Sequence, residues 1–235
     1  MLTQGAGPTR RDHPVAYELF SAGQSPQCLN DLEQSVWDEC GFGDLGALGY
    51  TSHIQTARTA GAFRTGQCIG LARIFSDTGA GIPALSLPFF RERDHDEYSR
   101  LSSEGLVEEI GTAAVAPPWR GKGLAAQLWR LAYRDSAARR VRHWMIIMEP
   151  ERVARMNRQY GFTFTQCGPA THYQGGNCAT HVMDLRQASR RMAITRPWAW
   201  LWFAKFAVEY TSRSADESLT PSGTDLCSGQ RIKQI

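Results

Sequence analysis

A mixed α/β (α+β) domain, with a central sheet flanked by helices and an aromatic helix at the C-terminus, is the fold class this sequence predicts. Three observations carry it. Val107 to Val115 reads as a strand, Arg120 to Ala125 as a glycine-bearing turn, and Leu124 to Ala138 as a helix whose Leu124, Leu128, Leu131 and Ala132 recur at helical spacing. His143 to Met148 then reads as a second buried strand, and a short helix from Glu151 to Tyr160 stops at Gly161-Phe162, where glycine is the usual terminator. Finally, Thr195 to Val208 places three tryptophans and two phenylalanines within nine residues, with Pro197 at a helix start.

The remaining elements follow in order. Residues 1–14 are polar and expected to be flexible, 15–188 to form the domain, 189–210 the aromatic helix, and 211–235 a disordered Ser/Thr/Gly-rich tail. Asp31 to Glu39 reads as a helix leading into the glycine-rich Gly41 to Gly49. Residues 61–75 and 81–90 read as a strand pair with a glycine-rich turn, and 91–104 as a charged connection.

Composition excludes several functions. A net charge of +3 over 235 residues is too small to argue for nucleic acid as a partner. The six cysteines show no C-x-x-C and no compact framework, and Met1 to Pro14 is not signal-like, so reduced thiols in the cytoplasm are expected. His13, His53, His95, His143, His172 and His181 have no metal-ligand spacing, and neither a nucleophile elbow nor His-Glu-x-x-His occurs. No metal is expected.

The turn itself is chemically specific. Glycines let the backbone approach a ligand closely, and free N–H groups at a helix N-terminus attract anions, so a pyrophosphate is the expected guest. It is not the ATP-binding P-loop, because glycine and not Ser/Thr follows Lys122, and it lacks the third glycine of the dinucleotide fingerprint.

With those flanks the chain resembles the GNAT superfamily of acyl-thioester-dependent N-acyltransferases over roughly Asp31 to Leu185. The motif Arg/Gln-x-x-Gly-x-Gly/Ala is matched by Arg120, Gly123 and Ala125, and Gly161-Phe162 is the second landmark. Further segments resemble the N-acyl amino acid synthase and acyl-homoserine-lactone synthase branches. These are Gly70 to Phe75, Leu85 to Phe90, Ser99-Arg100-Leu101 with Gly105 and Glu108-Glu109-Ile110, and Gly168 to Gly176 running on to Asp184-Leu185. The resemblance implies parted central strands that receive a thioester. It also implies that Arg120, Gly121, Lys122, Gly123, Leu124 and Ala125 hold coenzyme A pyrophosphate or the phosphopantetheine arm of an acyl carrier protein. The co-substrate would be acyl-CoA (acetyl-CoA or longer) or an acyl-carrier-protein thioester, and the acceptor a small-molecule amine.

Two departures stand out. Gly111-Thr112 occupies the place of Ser-Arg in those branches, and Asn157 stands where GNAT acetyltransferases usually carry a Tyr acid. Tyr160 is the candidate replacement. A thiol of pKa about 8.5 leaves with little protonation, so loss of the acid is survivable.

The reaction needs a base for the amine and donors for the tetrahedral oxyanion. Backbone N–H groups at Ala114, Val115 and Ala116 are the candidate donors. Period-2 counting puts Val107, Glu109, Gly111, Ala113 and Val115 on one face, making Glu109 the candidate base in apolar company. The alternative leaves one glutamate exposed and pairs the other with an arginine such as Arg73. Arg73 either orients a substrate carboxylate or neutralises Glu109, and His53 is a second candidate base. Arg130, Arg134, Arg139, Arg140 and Arg142 form either a carrier-protein docking surface or a solvated helix face. Residues 195–208 either pack over the domain or in a homodimer, or make peripheral membrane contact. An acetyl-CoA-dependent acetyltransferase and a non-catalytic acyl-CoA sensor are the alternatives to the acyltransferase expected here.

Overall fold

The computed structural model describes residues 14–41, 53–79, 81–86, 92–173 and 176–203. Expectations that fall on 1–13, 42–52, 80, 87–91, 174–175 and everything beyond 203 lie outside the described residues. The elements run β1 (Ala16–Phe20), α1 (Gln27–Cys40), β2 (Arg58–Arg64), β3 (Gln67–Ser76), α2 (Pro83–Ser86), α3 (Glu92–Ser103), β4 (Val107–Val115), a 3-10 turn (Pro117–Trp119), α4 (Leu124–Ala138), β5 (His143–Met148), α5 (Pro150–Tyr160), β6 (Thr165–Gln166), β7 (Thr171–Tyr173), β8 (Gly176–Asp184), α6 (Leu185–Thr195) and α7 (Pro197–Phe203).

An eight-stranded sheet runs β1-β2-β3-β4-β5-β8-β6, with β7 paired to β8. All the pairs are antiparallel except β4 with β5. That parallel pair holds only from Val107–His143 to Glu109–Met145, after which the strands part. The mixed sheet with parted central strands is thus observed.

The cause of the parting lies in β4. Ala72 pairs with Ala113 and Ile74 with Ile110, so Gly111 and Thr112 together oppose Arg73. This two-against-one bulge bends the strand and switches the faces on which its side chains emerge. Before the bulge, Val107 packs with the residues of α2 and α3; after it, Val115 packs against Leu124 and Leu128 of α4. The expectation that Val107, Glu109, Gly111, Ala113 and Val115 share one face is therefore corrected: Glu109 keeps the side predicted for it, but Ala113 and Val115 do not share it. Unbroken alternation fails wherever one residue is inserted.

Helices cover both faces. α4 lies on β2 and β3, where a Cβ on Gly70 would come within 3.2 Å of Leu128 Cδ1, so only glycine allows this approach without displacement. α1 covers the opposite face through Leu29, Glu33 and Trp37, spaced four residues apart on one stripe. Its Glu33 pairs with Arg73 at 2.8 Å, both side chains fully buried. Arg73 also donates to Thr59 Oγ1 at 2.7 Å and Asn30 Oδ1 at 2.5 Å.

Four further expectations are corrected. Residues 61–75 are not one strand: they contain the end of β2, a turn at Thr65-Gly66 (φ 50° and 79°) and β3, because both turn residues adopt left-handed backbone suited to a tight hairpin. Within 81–90, Pro83–Ser86 is helical, and the charged connection 91–104 is largely the helix α3. The cysteines are not all free: α1 crosses β3 so that Cys28 and Cys68, with Cα atoms 6.1 Å apart, form a disulfide. The aromatic segment is two helices broken at Arg196, because Pro197 has no N–H to continue α6. Both join the main core through Ala188, Met192 and Phe203.

Glu33→Ala leaves Arg73 buried without its counter-charge and is expected to cost about 3–5 kcal/mol in chemical denaturation, with Glu33→Leu/Arg73→Met recovering most of it.

Candidate active site

Two left-handed glycines form the turn that leads into α4. Gly123 is the N-cap of α4 at φ 80° and Gly121 stands at φ 73°, conformations that strain any residue with a Cβ. No side chain caps this helix, and its first backbone bond runs from the Gln127 N–H to the Gly123 carbonyl. The N–H groups of Leu124 and Ala125 therefore have no acceptor within the helix and are aligned with its positive end. Leu124 is buried and anchors the turn, while Gly121, Lys122, Gly123 and Ala125 are exposed. The Trp119 ring carries two cations, with Lys122 Nζ 4.7 Å and the Arg64 guanidinium 4.8 Å from its centroid.

Arg120 is held differently. Its guanidinium donates to both carboxylate oxygens of Glu39 at 2.7 and 2.6 Å, and its Nε to the Val115 carbonyl at 3.1 Å. Each partner steadies the other's charge: Glu39 is lowered by the Arg120 hydrogen bond and Arg120 raised by that from Glu39. The end of α1 is thus fastened to the cradle.

The three backbone candidates separate by direction. Ala116 N–H donates to the Ile69 carbonyl at 3.0 Å, toward β3. In the same register Ala114 faces Leu71 and Val115 faces Gly70. Ladder alternation therefore turns the Ala114 amide to β3 and the Val115 N–H to the gap left by β5. Ala113 is exposed in the middle of the sheet for the same reason: no strand lies beside it there.

At the vertex of that gap stand the two glutamates, and neither is exposed: Glu108 is 1% and Glu109 2% accessible. Glu108 is embedded in cations and hydroxyls. It pairs with Arg58 and with Arg139 at 3.4 Å, and accepts from Ser136 Oγ at 2.5 Å and Ser76 Oγ at 3.0 Å. Asp135 also pairs with Arg58, and Trp144 Nε1 donates to Ser136 Oγ at 2.9 Å. Glu109 lies across from Phe75 and Met145 and accepts one hydrogen bond from the Ala84 N–H at 2.6 Å. Among the described residues no cation pairs with it. Burial pushes its carboxyl up to about 8, opposed by the Ala84 hydrogen bond. Neither reading of Arg73 survives in the fold, because its guanidinium is committed to Glu33, Thr59 and Asn30 and serves neither Glu109 nor an open site. The His53 ring meets Phe75 edge-on at 6.3 Å.

Asn157 and Tyr160 point elsewhere. Asn157 Nδ2 donates to the Phe164 carbonyl at 2.9 Å and Oδ1 accepts from the Phe164 N–H at 3.1 Å. In place of an acid there is a clamp between α5 and the following chain. Tyr160 packs on Phe162 and Phe203 with centroids 5.6 and 5.7 Å away, and burial raises its phenol pKa. It belongs to the aromatic core. In the basic cluster, Arg139 pairs with Glu108, Arg142 with Asp184 at 3.5 Å, and Arg130 lies 4.9 Å from the Trp202 ring centroid.

Sequence reasoning missed Glu33, Glu39 and the Ala84 amide. Glu33 had a visible signal, a carboxylate on the Leu29–Trp37 apolar stripe, whereas the other two depend on contacts far apart along the chain.

Three outcomes follow. If the turn binds phosphates, Glu39→Gln frees Arg120 for them and should lower the apparent Kd for inorganic pyrophosphate in calorimetry, whereas a rise would mean that Glu39 chiefly shapes the turn. Asn157→Ala should cost about 1–3 kcal/mol in denaturation while leaving turnover per folded molecule unchanged. Because the folded Glu109 keeps its proton to about 8 while the unfolded chain releases it near 4.5, wild type should lose stability relative to Glu109→Gln as pH rises across that window. Parallel stability curves for the two proteins would remove the desolvated-carboxylate assignment.

A protein-family model described as N-acyl amino acid synthase FeeM matches residues 50–186, more than half of the chain. A search of curated proteins finds no significant match. Among solved structures, FeeM, an N-acyl amino acid synthase from uncultured soil microbes, superposes with TM-score 0.61 at 16% identity, covering 76% of this chain and 95% of its own. The AHL synthase LasI superposes with TM-score 0.58 at 14% identity, covering 79% of this chain and 96% of its own. At these identities the superpositions establish a shared fold, and the match over residues 50–186 goes further: the chain belongs to the FeeM family of N-acyl amino acid synthases.

Proposed function

We propose that this enzyme transfers an acyl group from acyl-CoA, or from the phosphopantetheine thioester of an acyl carrier protein, to the amine of an amino acid. The observation that carries the reading is the slot between β4 and β5, with an anion cradle at its outer end and the unpaired, buried carboxyl of Glu109 at its vertex. The family membership supports an amino acid as acceptor.

The donor's phosphates lie against the N–H groups of Leu124 and Ala125, with Lys122 adding positive charge. The thioester then lies along the open edge of β4. An amine is nucleophilic only as the free base, and the α-amino group of an amino acid is largely protonated at neutral pH. The nitrogen attacks the carbonyl carbon, a C–N bond forms, and the oxyanion is met by the Val115 N–H, a donor of a kind worth about 3 kcal/mol. The amine proton passes to the Glu109 carboxylate, directly or through a water, and a desolvated carboxylate is a stronger base than an exposed one. The C–S bond breaks and the thiolate takes its proton from solvent, so Tyr160 is not required. Holding both reactants in one slot supplies much of the remaining acceleration.

Thiol release measured with an amino acid panel tests the reading, with mass spectrometry identifying the N-acyl product. Glu109→Gln should lower kcat by about 10²–10⁴-fold with little change in donor KM. The wild-type rate should rise with pH toward about 8, where the Glu109 carboxyl ionises. Tight donor binding with no thiol release for any amine would instead make the chain an acyl-thioester sensor.

A further inference from the structure

The C-terminal helices carry features that the reaction does not use. α6 buries Leu185, Ala188 and Met192, which turns Arg186, Arg190 and Ile194 outward at four-residue intervals. Ile194 is 83% exposed and Trp198, at the start of α7, 82% exposed. Their neighbours are held inside. Trp200 Nε1 donates to Ser189 Oγ at 3.2 Å, Trp202 lies under Arg130, and Phe203 is buried. The segment is therefore docked without Trp198.

Beside these apolar tips is a cavity of about 520 Å³ between the end of α5 and the outer side of α6. Arg158, Arg191 and Arg196 line it with no carboxylate, and Thr163, also in its wall, has a buried Oγ1 without a hydrogen-bond partner. A second cavity, of about 460 Å³, shares Gln187 with it and is lined by Arg140, Arg186 and Arg190 together with Arg142, whose charge is met by the Asp184 carboxylate. Among the described residues Arg158, Arg186, Arg190, Arg191 and Arg196 have no ion-pair partner. Arg58, Arg73, Arg100, Arg120, Arg139, Arg142 and Arg152 all have one, while Arg140 and Arg155 also stand without one among the described residues.

We propose that the α6–α7 face seats the protein on an anionic lipid bilayer, with Ile194 and Trp198 entering the interface and the Arg158/Arg191/Arg196 cavity taking a headgroup phosphate. Unpaired guanidinium groups repel one another and bind phosphate through paired N–H donors. Tryptophan favours the level of lipid headgroups, and an apolar insertion combined with a basic patch holds where either alone is weak. Two isolated apolar tips standing among cations match the layering of a bilayer, phosphate above acyl chains. No described helix is long and apolar enough to cross a membrane.

The test is sedimentation of the full chain with vesicles of equal parts phosphatidylcholine and phosphatidylglycerol, compared with pure phosphatidylcholine. The protein should pellet with the mixed vesicles, stay soluble with the neutral ones, and be released by salt. Ile194→Glu/Trp198→Glu and Arg191→Glu/Arg196→Glu should each weaken binding about tenfold or more. All four side chains are exposed, and thermal melts confirm folding. No binding to either vesicle, equal binding to both, or unchanged binding in both variants would overturn the proposal. So would stabilisation by inorganic phosphate without vesicle binding, which would make the cavity a soluble-anion site. A lipid-free dimer dissolved by Ile194→Glu/Trp198→Glu would assign the face to a second copy. The assay contains no thioester or amine, so its failure leaves the acyltransferase reading untouched.

Discussion

The bulge of Gly111 and Thr112 against Arg73 sets the geometry of the centre of this molecule. Up to Glu109 the strand is held on both sides, by β3 and β5; beyond it, only by β3. One inserted residue re-aims everything downstream, so the Val115 amide faces an open slot and Val115's side chain joins the α4 side of the sheet. Such an irregularity needs support, and Arg73 provides it. Its charge is neutralised by Glu33, and its donors are used by Thr59 and Asn30, so the residue opposite the bulge is locked to α1 and β2. Buried pairs of this kind stabilise little against a hydrophobic alternative, but they specify one register.

Glu108 and Glu109 show how adjacent residues of the same type acquire opposite chemistry. Alternation sends Glu108 toward two guanidinium groups, Arg58 and Arg139, and the Ser136 hydroxyl. The same alternation sends Glu109 among Phe75, Met145 and Ala84, where one backbone N–H is the only polar company described. Glu108 consequently ties β2, β3, β4 and α4 together, and Glu109 is left with a carboxyl that burial makes basic. The rigidity of the first is what holds the second at the point where β4 and β5 separate.

How much of this was legible can be argued residue by residue. β4, α4 and β5 emerge with the bounds read from the chain, because their apolar periodicity is strong and glycines or prolines punctuate them. Glu109's burial followed from its apolar neighbours in sequence. The bulge did not, since nothing in Gly111-Thr112 says that two residues will oppose one; that is a property of the pairing with β3. The Cys28–Cys68 bridge, the Arg120–Glu39 pair and the Arg73–Glu33 pair were hidden for the same reason, each joining positions far apart in the chain. Asn157 was noticed as a missing acid, yet its actual task, clamping the Phe164 main chain, depends on the turn after α5.

These long-range ties converge on α1. It is bonded to β3 near its start by Cys28–Cys68, in its middle by Glu33–Arg73, and to the cradle at its end by Glu39–Arg120. The third tie differs in kind from the others. The Glu33 pair is dry and fixed, whereas Glu39 and Arg120 are exposed, in water, where such pairs exchange readily. A phosphate arriving at Leu124 and Ala125 meets a guanidinium already carrying a carboxylate, so the donor must either be bound by backbone N–H groups and Lys122 or displace Glu39. Displacement would release the end of α1 that precedes residues 42–52. Because the first two ties hold the rest of the helix to β3, only the displacement route would couple an anion at Arg120 to the end of α1.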